Sequence, residues 1–403
     1  MYNNFFSNAF KFYHRSILYL FPILLFLGPA LTNLGIILSC LLFFLNFHNL
    51  NNLNLFKDRK IISYLFICIS YFILSSLLSS DIFLSLEGSL LYLRFIIFSL
   101  AISFYLLIED DKYIKLFYFY ILFLLSIIFI DSNIQYITGK NILLFEKPNL
   151  KRVSSFFGEE SILGKYILSF LPIFLSAYLY IFKKKILSIF FLITFAVVYL
   201  TYLSGERSSF FLSIISFILL LFKLNKNFNI NQKIILFISF LILFFLLYAF
   251  FPLSFERIII DTYKDIFKEG NSYIISEQYQ AHFLTALGMF KDKIIFGHGP
   301  ELFRVICKDI AYNYLEGCST SPHSFYLQLL SETGLIGFTL ILLLFIVVFY
   351  KYLNSTDDLR SIYLVSVIIF LFPLTTNGNF FSTWINAPFY FSLGFLFYYF
   401  RDK

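Results

Sequence analysis

The stretch 234–251 contains no charged residue, and runs like it recur along the whole chain. A helix that crosses the hydrocarbon core of a bilayer needs about 20 mostly apolar residues. On that measure spans are predicted at 17–31, 34–47, 61–78, 91–108, 113–130 and 162–182, then at 186–203, 208–222, 234–251, 325–350, 361–374 and 387–400. The first two, joined at Gly28-Pro29, read as one hairpin or as one span with a re-entrant piece. Composition agrees. Of 403 residues 59% are hydrophobic and 14% charged, against roughly 25% charged in a soluble domain. The expected fold is all-α: a polytopic transmembrane bundle of about 12 helices forming a single integral membrane domain over 1–403. The 59 phenylalanines carry no functional reading, since an AT-rich genome gives the same excess.

Basic residues set the expected orientation, because Lys and Arg collect in short cytoplasmic loops. Alternate connections hold Lys57, Arg59 and Lys60; Lys112 and Lys115; Lys183, Lys184 and Lys185; Lys223, Lys226 and Lys233; and Lys351 and Arg360. The short loops between them, around Gly28, Asp81 and Asn377, carry none, and Arg207 is the exception. With Lys11 and Arg15 before the first span and Arg401 and Lys403 after the last, both termini are expected in the cytoplasm. This placement accounts for most of the net charge of +7 without an anionic partner. The polar stretch 1–15 is followed by no small-residue cleavage site, so the first helix is expected to stay in the membrane. Two outside loops remain, 131–161 and 252–321. The second, between the ninth and tenth spans, is too long for a connector and should form short helices over the membrane.

Polar residues of interest gather near the outer boundary. Ser321-Pro322-His323 precedes an apolar run. A Ser cap and a Pro in the first turn suit a helix start, and His323 in that turn would be held neutral by the helix dipole, fit for a general base. The other reading is an interfacial His beside a polar cap. Counted over 321–352, the helix would be about 48 Å at 1.5 Å per residue, longer than the bilayer core, so a bend is expected near Gly334 and Gly337. Ser204-Gly205-Glu206-Arg207 forms a tight turn whose guanidinium suits phosphate or simply reaches headgroups. Arg94 is a companion, read as one turn inside the outer end of its span. Arg152 opens a segment ending in Glu159 and Glu160, which either complement a helix amino terminus or hold a sugar hydroxyl. Gly297-His298-Gly299-Pro300 marks a turn and is no dinucleotide fingerprint. Cys307 and Cys318 share the large outside loop and could bridge in an oxidising compartment. Their spacing, with His282, His298 or His323, matches no usual zinc pattern.

Taken in order, the 152–161 segment, the 204–209 turn, Gly297-His298-Gly299, Pro322-His323-Ser324 leading to 332–337, and the closing stretch 373–394 with Trp384 resemble the bacterial O-antigen ligase and O-antigen polymerase superfamily. The resemblance covers most of the chain from Arg152 onward. It implies glycosyl transfer on the periplasmic face of the inner membrane, from a glycan on undecaprenyl diphosphate, with no metal and no cofactor. It implies His323 as general base and Arg207 on the donor diphosphate, joined by Arg304, Arg152 and Arg94. Glu160, Glu206, Glu332 and His298 are then candidates for the acceptor or sugar. Family members often carry an arginine shortly before the Gly-x-Gly turn, where this chain has Gln280 and His282. Arg304 or Arg257 would supply that second cation, and Arg304 is preferred. The expected partners are the lipid-linked glycan, the bilayer and a chain-length regulator; no nucleic acid is expected.

Polymerase is the first reading and transfer of glycan to lipid A-core the second. A lipid-linked glycan flippase is the reading from another class. It should place charges at mid-membrane along a cavity, and a solute transporter should show an internal repeat. Neither pattern is visible in the sequence.

Overall fold

The computed structural model describes residues 8–46, 59–182, 187–224, 229–268, 271–309, 312, 314 and 317–400. Lys57, Lys183, Lys184, Lys185, Lys226, Arg401 and Lys403 of the charge pattern lie outside the described residues. The chain runs through α1 (Asn8–Leu24), α2 (Pro29–Leu45), α3 (Arg59–Leu77), α4 (Ile82–Ile108), α5 (Asp111–Thr138), α6 (Leu163–Phe182), α7 (Leu187–Leu203), α8 (Arg207–Leu224) and α9 (Ile230–Phe250). Shorter pieces follow: α10 (Pro252–Phe255), a π-helical turn (Glu256–Ile260), α11 (Asp261–Ile266) and a hairpin of β1 (Phe267–Lys268) and β2 (Asn271–Ser272). After these come α12 (Glu277–Asp292), α13 (Phe303–Ile306), α14 (Phe325–Asn354), α15 (Asp358–Phe370) and α16 (Thr383–Phe400).

A helix overlies each of the predicted apolar segments. Five of them, α4, α5, α6, α9 and α14, are long and apolar enough to cross a membrane. They make this a membrane protein. The apolar helices Pro29–Leu45, Ser63–Leu77 and Ile189–Leu203 are shorter. The region expected to hold short helices contains α10 to α13, the hairpin and the π-helical turn.

Two compact units emerge. The first comprises Met1–Gly28, Ile108–Tyr263 and Tyr352–Phe370. At its heart is α6, which packs against α5, α7, α8 and α15. A helix that is apolar all round belongs inside, and α6 buries residues on every side, including Tyr166, Phe170 and Phe174. Pro172 inside it cannot donate a backbone hydrogen bond; the Ser176 hydroxyl donates to the Pro172 carbonyl at 2.7 Å.

The second unit comprises Pro29–Leu107, Lys264–Lys351 and Leu371–Lys403. Here α2 packs on α16, and an aromatic cluster fills the interior. Tyr92 stacks on Phe380 (centroids 5.4 Å apart) and Phe95 on Tyr390 (5.7 Å). The buried Tyr92 hydroxyl finds the Asn386 Oδ1 at 3.2 Å, as a polar tip in an apolar interior must.

Cys307 and Cys318 form a disulfide with Cα atoms 5.1 Å apart. It underlies a small core of Ala286, Met289 and Phe303, against which Leu327 packs. Replacing both cysteines by serine is expected to cost about 2–4 kcal/mol. The measurement is thermal unfolding in detergent together with proteolysis of 308–317. Unchanged melting and cleavage would show that the bridge does not constrain this segment.

Candidate functional site

The first unit builds a cation cradle around one glycine. Gly205 has φ +64°, and the space a Cβ would take there lies 2.8 Å from the Lys151 carbonyl, 2.9 Å from Arg152 Cγ and 3.4 Å from Arg257 Cγ. No larger residue fits that conformation and that crowding. The glycine thus lets three distant stretches meet: the 149–153 segment, the turn between α7 and α8, and the π-helical turn. The Val153 N–H donates to the Leu203 carbonyl at 3.2 Å, tying the segment to the end of α7. Arg207 opens α8, and its Nε donates to the Arg257 carbonyl at 3.2 Å. The side chains of Arg152 and Arg257 therefore pass beside the turn that Arg207 follows. Arg152 Nε is buried and has no hydrogen-bond partner among the described residues.

The neighbouring charges are already engaged. Lys151 Nζ pairs with Glu256 and Asp261, each at 3.0 Å, and these bonds hold its proton more firmly than usual. Arg257 reaches Asp261 at 3.9 Å. Glu206 is buried: its carboxylate accepts the Gly164 N–H at 2.6 Å, the Lys165 N–H at 3.3 Å and the Ser209 hydroxyl at 2.9 Å. Burial pushes its pKa up, against the pull of Lys165 and these donors. Glu206 thus satisfies the orphan donors at the start of α6. That corrects the sequence reading twice. The carboxylate serving this helix end is Glu206, with Glu159 and Glu160 exposed, and Glu206 is turned to the backbone instead of to a sugar.

Two residues behind the cradle were missed in the sequence. Gln135 Oε1 accepts the N–H groups of Ser154 (2.9 Å) and Ser155 (2.7 Å). Asp131 accepts from the Ser155 hydroxyl and, at 2.8 Å, from the Ile142 N–H. Both are buried on α5 one turn apart. The signal was a polar pair at i, i+4 ending an apolar run.

In the second unit, α14 begins at Phe325, four residues after the predicted start. His323 has φ +56° and lies outside the helix, with its carbonyl accepting the Asn377 N–H at 2.9 Å. Ser324, not Ser321, accepts a capping bond, from the Leu327 N–H at 3.5 Å. The left-handed residue after Pro322 stops helical geometry from extending back to Ser321, so the first-turn dipole argument for a neutral His323 falls. The ring instead packs against α12. Its centroid lies 5.4 Å from Tyr279, edge to face, and 5.3 Å from His282.

The predicted bend is at Gly334, with φ +65° and ψ −167° inside α14. A break there leaves carbonyls of the preceding turn without helical donors, and the Gly297-His298-Gly299 turn supplies them. The His298 N–H donates to the Ser331 carbonyl (3.0 Å) and the Gly299 N–H to Glu332 (2.7 Å); Leu335 N–H finds Ile294 (2.8 Å). The Tyr71 hydroxyl takes the Thr333 carbonyl at 2.7 Å.

Beside this joint the Glu332 side chain is buried, accepting from the Phe303 N–H and from Gln328 Nε2, both at 3.0 Å. Gln328 Nε2 also donates to Asn379 Oδ1 (2.9 Å), and Asn379 Nδ2 to Glu301 Oε2 (3.3 Å). Arg304 pairs with that same Glu301 carboxylate at 3.4 Å. His298 is also buried. Its Nε2 lies 3.0 Å from the Met289 carbonyl, which can only accept, so that nitrogen carries the proton. Burial lowers its pKa. Glu332 and His298 therefore hold the joint together, where the sequence reading had them on the sugar.

Arg94 sits in the middle of α4, because the helix begins at Ile82 and not near Leu91. This corrects the expected start of its helix, Leu91. Its Nη atoms donate to the carbonyl of Leu91 (2.9 Å) and to Asn33 Oδ1 and Thr383 Oγ1 (3.3 Å each), joining α2, α4 and α16 through neutral oxygens.

Among the described residues no group of three or more His, Cys, Asp and Glu side chains is arranged to hold a metal ion. A family model described as O-antigen ligase matches residues 189–342, a stretch that holds the Gly205 turn, Arg257, α12, the Gly297–Gly299 turn and His323. The curated proteins contain no match to the chain.

Proposed function

We propose, from the chain's membership of the O-antigen ligase and polymerase superfamily through residues 189–342, that it polymerises undecaprenyl-diphosphate-linked oligosaccharide repeat units. In this reading the chain is a multi-pass protein of the bacterial inner membrane with both termini in the cytoplasm and its chemistry at the periplasmic face. All twelve apolar helices span, and 252–321 is the large periplasmic loop. The observation that carries it is the meeting of Arg152, Arg207 and Arg257 at Gly205, with Arg152 Nε buried and, among the described residues, without a hydrogen-bond partner. Planar, permanently charged forks suit the oxygens of a diphosphate. A diphosphate is a good leaving group, so stabilising its developing charge matters more than protonating it, and no metal is called for. His323, partly exposed, takes the proton from the acceptor hydroxyl. A single displacement inverts the anomeric carbon.

Transfer of glycan to lipid A-core is the second reading, favoured by the description of the matching family. Deleting the gene in its host and resolving lipopolysaccharide on gels separates the two. One repeat on the core means polymerase; polymer retained on the lipid carrier means ligase; an unaltered ladder contradicts both. Complementation with His323→Ala should restore little, since a positioned general base contributes about 10²–10⁴-fold.

A further inference from the structure

The second unit holds a second imidazole that the reaction just described does not use. Tyr279 and His282 lie one turn apart on α12, on the face that meets His323. The His282 ring is 2% exposed, and its Nδ1 has no hydrogen-bond partner among the described residues. A buried polar nitrogen left without a partner costs about 1–3 kcal/mol, and folded proteins rarely leave one without reason. The nearest ring to it is His323, with centroids 5.3 Å apart and planes tilted 47°. The two differ in access: His323 is partly exposed and can meet a substrate, whereas His282 cannot.

Helix α12 is also firmly placed. Its Ala286 and Met289 pack on the core around the disulfide, and the Met289 carbonyl is held by His298. Gly317, next to Cys318, sits directly on the Ala281 carbonyl and Thr285. A ring fixed this way can orient its neighbour as well as exchange a proton with it.

The geometry points to His282 as the proton-relay and positioning partner of His323, an inference that rests on the glycosyl-transfer reading above. In that transfer the acceptor oxygen bonds to the anomeric carbon. The bond from that carbon to the phosphate oxygen breaks, and its electron pair leaves on the lipid diphosphate. The hydroxyl proton passes to His323 and is shared with His282 Nδ1, and it leaves to water through the partly exposed His323 before the next turn. His282 thus takes up the proton in transit and holds the base in place.

The test uses the full chain in proteoliposomes with lipid-linked glycan extracted from the deletion strain. His282→Ala should lower turnover about 10²-fold with KM unchanged, and added imidazole should restore part of it. His282→Asn, which presents a small polar group near the place of Nδ1, should keep more turnover than alanine. Full turnover in His282→Ala overturns the inference, as does a loss that appears in KM or that neither imidazole nor asparagine relieves. If the alanine variant does not accumulate, His282→Asn and His282→Phe decide: equal turnover in these two overturns the relay, and a deficit confined to phenylalanine supports it. His323→Ala separates the two claims. Normal transfer in that variant removes His323 as general base and the relay with it; no transfer by the unaltered chain removes the transfer reading; an inactive His323→Ala beside a fully active His282→Ala removes the relay alone.

Discussion

Arg207→Ala should strip the long bands from the glycan ladder while the protein accumulates normally in the membrane. The guanidinium stands at the first position of α8 and is oriented by its Nε bond to the Arg257 carbonyl. In the proposed reaction it meets a charge that grows only as the diphosphate leaves, and losing one such preorganised contact costs about 10²–10³-fold in turnover. Arg207→Lys should recover little, because lysine keeps the charge but not the planar fork. Arg257→Ala should fall in the same direction. Arg304→Ala should leave the ladder nearly intact, since that side chain is 45% exposed and engaged with Glu301. The sequence preferred Arg304 as the second cation, and the structure brings Arg257 to Gly205 instead. A ladder lost with Arg304→Ala and kept with Arg257→Ala would reverse that choice.

The difference between those two arginines shows what a sequence can and cannot display. Length and apolarity are local, so the helices were legible, and so were the turns at Gly205 and Gly297, marked by their glycines. The bend in α14 was legible from the mismatch between its run and a bilayer. Arg257 was not. It lies 50 residues from Arg207 along the chain, in a π-helical turn that no periodicity announces. The start of α4 was hidden because Glu87 and Gly88 interrupt its apolar run, which displaced Arg94 from mid-helix to an apparent end. Gly88 is there because a Cβ would collide with the Glu301 side chain, a tertiary reason invisible in sequence. The carboxylates failed for a related cause. Glu206 and Glu332 looked like ligands for a sugar, yet each completes the hydrogen bonding of backbone that a helix end or a bend leaves unsatisfied.

The largest effect on stability is expected at the joint between Gly297 and Gly334. The two glycines have φ +69° and +65°, and a Cβ on Gly334 would lie 2.6 Å from the Gly297 nitrogen. A Cβ on Gly297 would strike the Glu332 carbonyl group. Left-handed geometry alone costs an L-residue about 1–2 kcal/mol. Relieving the collision would also pull apart the bonds from the His298 and Gly299 N–H groups to Ser331 and Glu332, each contributing about 0.5–1.5 kcal/mol. Gly297→Ala or Gly334→Ala should therefore lose on the order of 2–5 kcal/mol, a large value for a single substitution. Either variant should melt far below the parent in detergent or fail to accumulate. Gly139→Ala is the control. That residue has φ +84° but nothing within 4 Å of a new Cβ, so it carries the backbone strain without the collision. If all three variants melt together, strain alone accounts for the loss; a gap between Gly139→Ala and the other two measures how closely the Gly297–Gly299 turn is seated on the bend that leads back to His323.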